Sequence, residues 1–577
     1  MARYRKNSAE IIYTDKWRGL DMSREEKKNF SSSVYMKNFA VTEKYDLKKR
    51  CGYRKTVSGL DCDSCFYATI GGIGYFIYKS GKKLYALKMT DMSSIEYDTG
   101  SFATVGYFVF GGEAYIYGNG LYCKFDGNSF SVISPYVPTV AITCSPSGQG
   151  TLYESLNVLC EKAKISYSPD GTSTVFTLPA DAQSVDTVEI DGQVVAAGYT
   201  YDASAHTLTF TTAPTGGVPD SLTVTFTLSD ETILNMPYIG NKFCIYGGGR
   251  DTRVFAYGNK NTLYYSDVTA NGADATYFPA DNFITVGDGG TVTALIRHYD
   301  RLIVFKETET WFLSPSSVDY DGYSKPSYPL SPLNSTVGCA GGGAVYADNS
   351  PFTLSYDGIY VFGQSTVRDE RNAKRVSDRI APYLTPAFLR HAVVYDYEYG
   401  KEIWMCYGGA VIVYNYGNDA FYVYDNIPAE YFFVHEGKLS FYSGGVIYAF
   451  DESASDDDGV PVTAVAESGY VILDKTVKKR RLRRISLSYL PAKNSEVTVK
   501  AEANRGGGKS AVFSWAAVSG FDFGLIDFTD FCFYCCEIPL HSERRVNLSS
   551  FEGLKLCITC TGGRTAVSGV SLYVDGA

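Results

Sequence analysis

The sequence predicts an all-β protein: a six- or seven-bladed β-propeller with an inserted small β-sandwich and a C-terminal β-sandwich. Composition is the first reason. The 577 residues include 48 Tyr, 33 Phe and 56 Gly; aromatic side chains favour strands and glycine favours tight turns. A recurring phrase is the second, a turn followed by a short apolar run with central aromatics. Copies are "SGKKLYALKM" from Ser80, "YGNGLYCKFDG" from Tyr117, "NKNTLYYSDV" from Asn259, "ETETWFLS" from Glu307, "SYDGIYVFG" from Ser355, "GGAVIVYNYG" from Gly408 and "GGVIYAFDE" from Gly444. Apart from one large gap they recur roughly every 35 to 55 residues, the spacing of propeller blades. Texture is the third reason. The runs are apolar on both faces, as expected of strands packed between neighbouring blades, whereas two other regions alternate.

Residues 1–55 are polar and basic and read as an extended arm leading into the first strand. Residues 56–144 hold the first copies of the phrase and form the first part of the propeller. In 145–232 the phrase disappears; "TLYESLNVLCEKAK" from Thr151 reads as one short helix. The following stretch alternates Thr207, Thr209 and Thr211 with Leu208 and Phe210, the mark of one wet and one buried face. This is the inserted sandwich. Residues 233–455 resume the propeller. Within them, Ile359 to Phe362 read as an inner strand buried on both faces, after a turn in which Gly358 is free to take a positive φ. "DESASDDDGVP" from Asp451 reads as an acidic linker. Residues 456–577 alternate again and form the C-terminal sandwich.

The formal net charge of −10 argues against broad coating of nucleic acid or anionic membrane. It leaves room for a local basic patch or for a channel to which DNA must not stick. No window approaches 18 uninterrupted apolar residues, so no membrane-spanning helix is expected. The N-terminus lacks the apolar core of a signal peptide, so the 14 Cys are expected as reduced thiols, most of them buried as small hydrophobes.

Catalytic signatures are missing: there is no P-loop, no GxSxG and no HExxH, and the five His are not paired at metal spacing. No catalytic, cofactor-binding or metal-ligating residue is assigned, and no enzyme activity is expected. Cys532-x-x-Cys535 and Cys557-x-x-Cys560 have zinc-like spacing. However, "DFCFYCCEIPL" is strand-like, and positions i and i+3 of a strand face opposite ways, so core thiols are the preferred reading. "SPDGTSTVF" from Ser168 partly matches the Asp-box of sialidase propellers, but Gly171 directly follows Asp170 and the Trp is missing. The dense basic run "KTVKKRRLRR" from Lys475 contributes Lys478, Lys479, Arg480, Arg481, Arg483 and Arg484 as candidate contacts to another subunit or partner. A solvated strand at a domain junction explains it equally well. The run Asp456-Asp457-Asp458 could meet these cations across copies of an oligomer. Arg368 and Arg371, in the charged segment after Phe362, are two further contact candidates.

Several phrases together resemble a phage family. "WRGLDMS", "YMKNFAV" and "LKKRCGYR" resemble the N-terminal pattern of the packaged-DNA stabilisation or tail nozzle (tail tubular protein B type) proteins of short-tailed phages. The matching positions are Gly19-Leu20-Asp21, Met36-Lys37-Asn38 and Arg50-Cys51-Gly52-Tyr53. "YDRLIVFKETETWFLS" and "VGCAGGGAVYADNSPFTLSYDGIYVFG" are similar to that family's central blades, and "VTVKAEANRGG" with "SGVSLYVDG" to its C-terminal sandwich. The inserted sandwich departs from a minimal member.

The resemblance implies a virion structural protein, assembled in the host cytoplasm and located in the tail. Its partners would be itself in a ring of six, the portal-adaptor ring proteins, tail fibre or spike proteins, and packaged double-stranded DNA passing through without sequence-specific binding. It implies no cofactor. The alternative expectation is a carbohydrate- or receptor-binding virion propeller.

Overall fold

In the computed structural model of the chain, the described residues are 9–23, 26–27, 29–100, 105–118, 120–248, 251–320, 323–363, 372–473, 480–515 and 539–576. The chain divides into two compact units, Asp63–Leu333 and the combination of Met1–Cys62 with Asn334–Ala577. Both are almost entirely β.

Seven four-stranded antiparallel sheets occur among the described residues. Four have their strands in the first unit, beginning at Ser64–Ile70, Val105–Phe110, Lys242–Tyr246 and Val292–His298. The other three begin at Ala344–Ala347, Val393–Tyr397 and Tyr431–His435. In six sheets the strands follow chain order; the seventh completes itself with Gly52–Ser58, which pairs with Val446–Asp451.

Each of the seven phrases supplies the third strand of a sheet, at Lys83–Lys88, Leu121–Phe125, Thr262–Tyr265, Thr310–Leu313, Gly358–Phe362, Ala410–Asn415 and Val446–Asp451. The phrase is thus an inner strand of its sheet, as read from the sequence, but not the most deeply buried one. The second strands are buried more continuously, as in Arg253–Asn259 and Arg301–Lys306. Within Gly358–Phe362, Ile359 and Phe362 are buried but Tyr360 and Val361 are only half-buried. Gly358 is not in the left-handed region. A Cβ there would lie 2.7 Å from Arg375 Nε and 2.8 Å from Ser377 Oγ, so those two side chains would have to shift to admit one.

Successive sheets of the first unit pack face to face. Along the second strand of the second sheet, Ala114 and Ile116 join the core shared with the first sheet, while Tyr115 joins the core shared with the third. Along Arg253–Asn259, Val254 and Ala256 face back and Phe255 and Tyr257 face forward, against Leu302 and Val304 of the fourth sheet. A period-2 strand apolar at every position therefore fills two interfaces.

The inserted module begins earlier than the sequence indicates. Thr139–Cys144 pairs in parallel with Lys162–Tyr167 in a six-stranded sheet, which closes over a three-stranded sheet around Tyr167, Phe176, Phe210 and Phe226. Thr207–Phe210 alternates half-buried and buried, as expected. The helix expected from Thr151 to Lys164 does not form. That stretch docks by hydrogen bonds: Asn157 Nδ2 donates to Tyr136 O and Thr276 O, both at 2.8 Å, and Ala280 N donates to Leu156 O at 2.8 Å. Tertiary bonding overrides a modest helical preference. The module's one helix is Asp230–Leu234, capped by Ser229.

The C-terminal sandwich forms inside the second unit and is not made by C-terminal residues alone. Ala9–Thr14 and Leu47–Lys49 pair with Ala566–Gly576 in one sheet; Ser33–Lys37 pairs with Ala464–Ser468 in the other. The N-terminal stretch is thus built into the sandwich. The core between the sheets includes Leu482, Ile485, Val499, Ile558 and Leu572.

Candidate functional site

The three N-terminal phrases meet at one buried junction. Asn38, between Ser33–Lys37 and Phe39–Val41, has φ 59, a conformation that asparagine tolerates better than most residues. Its Nδ2 donates to Asp425 Oδ1 at 2.6 Å and to Thr463 O at 2.9 Å, and its Oδ1 accepts from Arg50 Nε at 2.9 Å. The Arg50 guanidinium completes its set with Asp457, Nη1 to Oδ1 at 2.8 Å and Nη2 to Oδ2 at 2.6 Å, and donates to the Asp425 and Cys51 carbonyls. Burial opposes the charge on Arg50, but the Asp457 contact outweighs it and holds the guanidinium above its ordinary value. Asp425 is raised by burial, yet hydrogen bonds from Lys37 and Asn38 leave it below the usual range.

Two glycines allow the backbones to come this close. A Cβ on Gly19 (φ 73) would lie 2.5 Å from Phe421 O, and one on Gly52 would lie 1.8 Å from Asp456 O. Leu20 N donates to Phe421 O at 2.7 Å, and Tyr53 OH donates to Asn426 O at 2.7 Å. Tyr53 also packs edge-on against Phe441, Tyr448 and Phe450.

Beside the junction, and within the same unit, is a cavity of about 450 Å³. One wall comes from Lys48, Lys49 and Arg50, the opposite walls from the sixth and seventh sheets, with Arg564 completing the lining. Lys49 is fully buried and donates to Ser455 O at 3.1 Å and to Gly562 O; burial pushes its pKa down. Arg564 is engaged by Glu452 and by Lys49 O. Glu402 accepts from Trp404 Nε1 at 2.8 Å and from Tyr422 OH. Burial raises its pKa, and the hydrogen bonds from Tyr422, Trp404 and Asn415 oppose that rise. Tyr397 and Tyr399 also line the cavity, with ring centroids 6.2 Å apart.

The cations expected as partner contacts have a different setting. Arg480–Leu490 is a central strand of the C-terminal sandwich. Arg480 pairs with Glu10, Arg483 Nε with Asp575 Oδ2 at 2.5 Å, and Arg484 Nη1 with Glu543 Oε1 at 2.7 Å. A register shift between Leu482 and Arg484 puts both Arg483 and Arg484 on the exposed side while Leu482 points inward. Arg481 is exposed and has no hydrogen bond or ion pair among the described residues. Two members of the acidic run are engaged within the chain, Asp457 with Arg50 and Asp456 with Arg54 at 2.7 Å, while Asp458 is exposed. The run forms a short hairpin, Asp456–Asp457 with Val460–Pro461, in place of the expected linker.

Lys478, Lys479, Arg368 and Arg371 lie outside the described residues, as do Cys532 and Cys535. Cys557 and Cys560 occupy opposite faces of Gly553–Gly562, and burial raises both thiol pKa values. Asp170 forms a local turn, accepting from Thr172 N and Ser173 N at 2.7 Å.

No family model and no curated protein match the chain. Among solved structures it is similar to an extracellular domain assigned to a one-component system of B. thetaiotaomicron, at 10% identity and TM-score 0.26. That similarity covers 83% of this chain, and the chain spans 58% of that domain's length. It is also similar to an exo-β-1,3-galactanase of Phanerochaete chrysosporium at 9% identity and TM-score 0.20, covering 91% of this chain and 100% of that one. At these scores neither similarity bears on fold or activity.

Proposed function

We propose that the chain is a structural protein of a short-tailed phage virion, a tail nozzle subunit. Six copies form a ring below the portal and adaptor, continue the DNA channel, retain the packaged genome and gate its ejection. One observation carries the reading. Gly19-Leu20-Asp21, Met36-Lys37-Asn38 and Arg50-Cys51-Gly52-Tyr53, the phrases that resemble the nozzle family, are separate in sequence but converge on one buried junction. A chance match of short phrases gives no reason for such convergence.

The seven sheets support a seven-bladed propeller in this proposal, its last blade completed by Gly52–Ser58. Net acidity suits a channel wall along which like-charged DNA slides without stalling. Neighbouring rings and fibre proteins would be the partners. Labelling of particles with an antibody against this chain tests the proposal. Label on the tail axis, in line with the portal, is expected; label confined to peripheral fibres, or none, contradicts it.

A further inference from the structure

We infer that the cavity beside the arm junction binds an acidic saccharide unit, a sugar ring carrying a carboxylate. Its volume of about 450 Å³ is that of a small-molecule site, and it lies where an arm, two sheets and the C-terminal sandwich meet. Charge is the first argument. In a chain of net charge −10, five cations line this cavity against three carboxylates, Glu402, Asp451 and Glu452. Three of the cations are already used: Lys49 by carbonyls, Arg50 by Asp457 and Arg564 by Glu452. The Lys48 and Lys438 side chains form neither a hydrogen bond nor an ion pair among the described residues; Lys48 lies near Glu452 and Lys438 near Asp451 without contacting them, so both ammonium groups can receive an anion.

The second argument is the rings. Tyr399, 76% exposed beside Tyr397, presents an aromatic face at the cavity on which a sugar ring can stack. The third is the acceptors. Glu402 is half-buried and fixed by Trp404, Tyr422 and Asn415, and the remaining lone pair of its carboxylate can accept from a ligand hydroxyl. A bare anion would use only the lysines, and a neutral sugar only the rings and acceptors. A carboxylate-bearing sugar uses all three.

Calorimetric titration of the purified full chain with glucuronate, glucose and inorganic phosphate tests this. Glucuronate is expected to bind saturably, about tenfold or more tighter than glucose, the difference a charged hydrogen bond supplies. Lys438→Ala should weaken glucuronate about tenfold and Tyr399→Ala severalfold. Both residues are exposed, so an unchanged melting temperature separates these losses from misfolding. The inference is overturned if glucuronate does not saturate, if glucose or phosphate binds as tightly, or if Lys438→Ala leaves affinity unchanged. The test uses the isolated chain and does not depend on ring assembly, so either proposal can fail without the other.

Discussion

Arg50 and Asp457 stand 407 positions apart and form a two-pronged ion pair in which each side chain is only 2% exposed. The pair ties the N-terminal segment to the hairpin that follows the seventh sheet, and Asn38 and Asn426 extend it. Removing one partner of a buried pair strands the other charge, at a cost of about 3–5 kcal/mol. Arg50→Ala and Asp457→Ala are each expected to lower the melting temperature strongly. The double variant should cost clearly less than their sum, and Arg50→Lys should not restore the loss, because an ammonium cannot reproduce the planar fork. Additive losses in a thermal double-mutant cycle would show that the pair does not act as a unit.

Gly52 allows one close approach and Gly437 does not. An alanine Cβ at position 52 would overlap a backbone carbonyl at 1.8 Å, whereas at Gly437 (φ 75) it meets nothing within 4 Å. Gly437→Ala should therefore cost only the backbone strain of about 1 kcal/mol. Gly52→Ala must displace the Asp456 carbonyl and should cost several times more, read as the difference in melting temperature.

Asp396, in Val393–Tyr397, has an Oδ1 that is buried and without a hydrogen-bond partner among the described residues. Burial, helped by Glu398, pushes its pKa up to about 7 from an ordinary 3.8. Between those values the folded chain keeps a proton that the unfolded chain releases. Stability from this group is therefore greatest below about pH 4 and is lost as the pH rises through 7. Asp396→Asn imitates the protonated form. Wild type and variant should melt together at pH 4, and the variant should melt higher at pH 8. A constant difference across that range would exclude Asp396 as the source.

Asn157 holds the inserted module to the third sheet's 276–278 segment through Thr276 O and Phe278 N, besides the Tyr136 carbonyl. Asn157→Ala leaves buried backbone groups unpaired, at about 1–3 kcal/mol each. Hydrogen exchange should speed up at Phe278 while the module core around Phe226 keeps its protection. Unchanged exchange at Phe278 would show that the clamp is dispensable.

How much could be read from the sequence depended on whether the signal was local. The third strand of each sheet is visible because a turn with glycine, asparagine or charged residues precedes an aromatic run, as at Gly408-Gly409 before Ala410–Asn415. The second strands carry similar punctuation, Gly71-Gly72 before Ile73–Ser80 and Gly111-Gly112 before Glu113–Gly118, but the repeated phrase falls on the strand that follows them. Thr207–Phe210 revealed itself by alternation. The Thr151–Lys164 stretch misled because its conformation is set by carbonyls more than 100 residues away. The Arg50–Asp457 pair has no local spacing at all, and the cavity gathers residues from 40–51, 397–452 and 564. Conversely, "KTVKKRRLRR" is conspicuous as a string. In the described part, three of its four arginines form ion pairs within the sandwich, Arg483 and Arg484 with the adjoining strands and Arg480 with Glu10 one strand further on.

The number of copies of this chain per phage particle, measured by quantitative mass spectrometry against the portal protein, bears most directly on the proposed role. Six copies per particle is the predicted result. Its absence from the particle, or a count that no six-fold ring on the tail axis can accommodate, would contradict it.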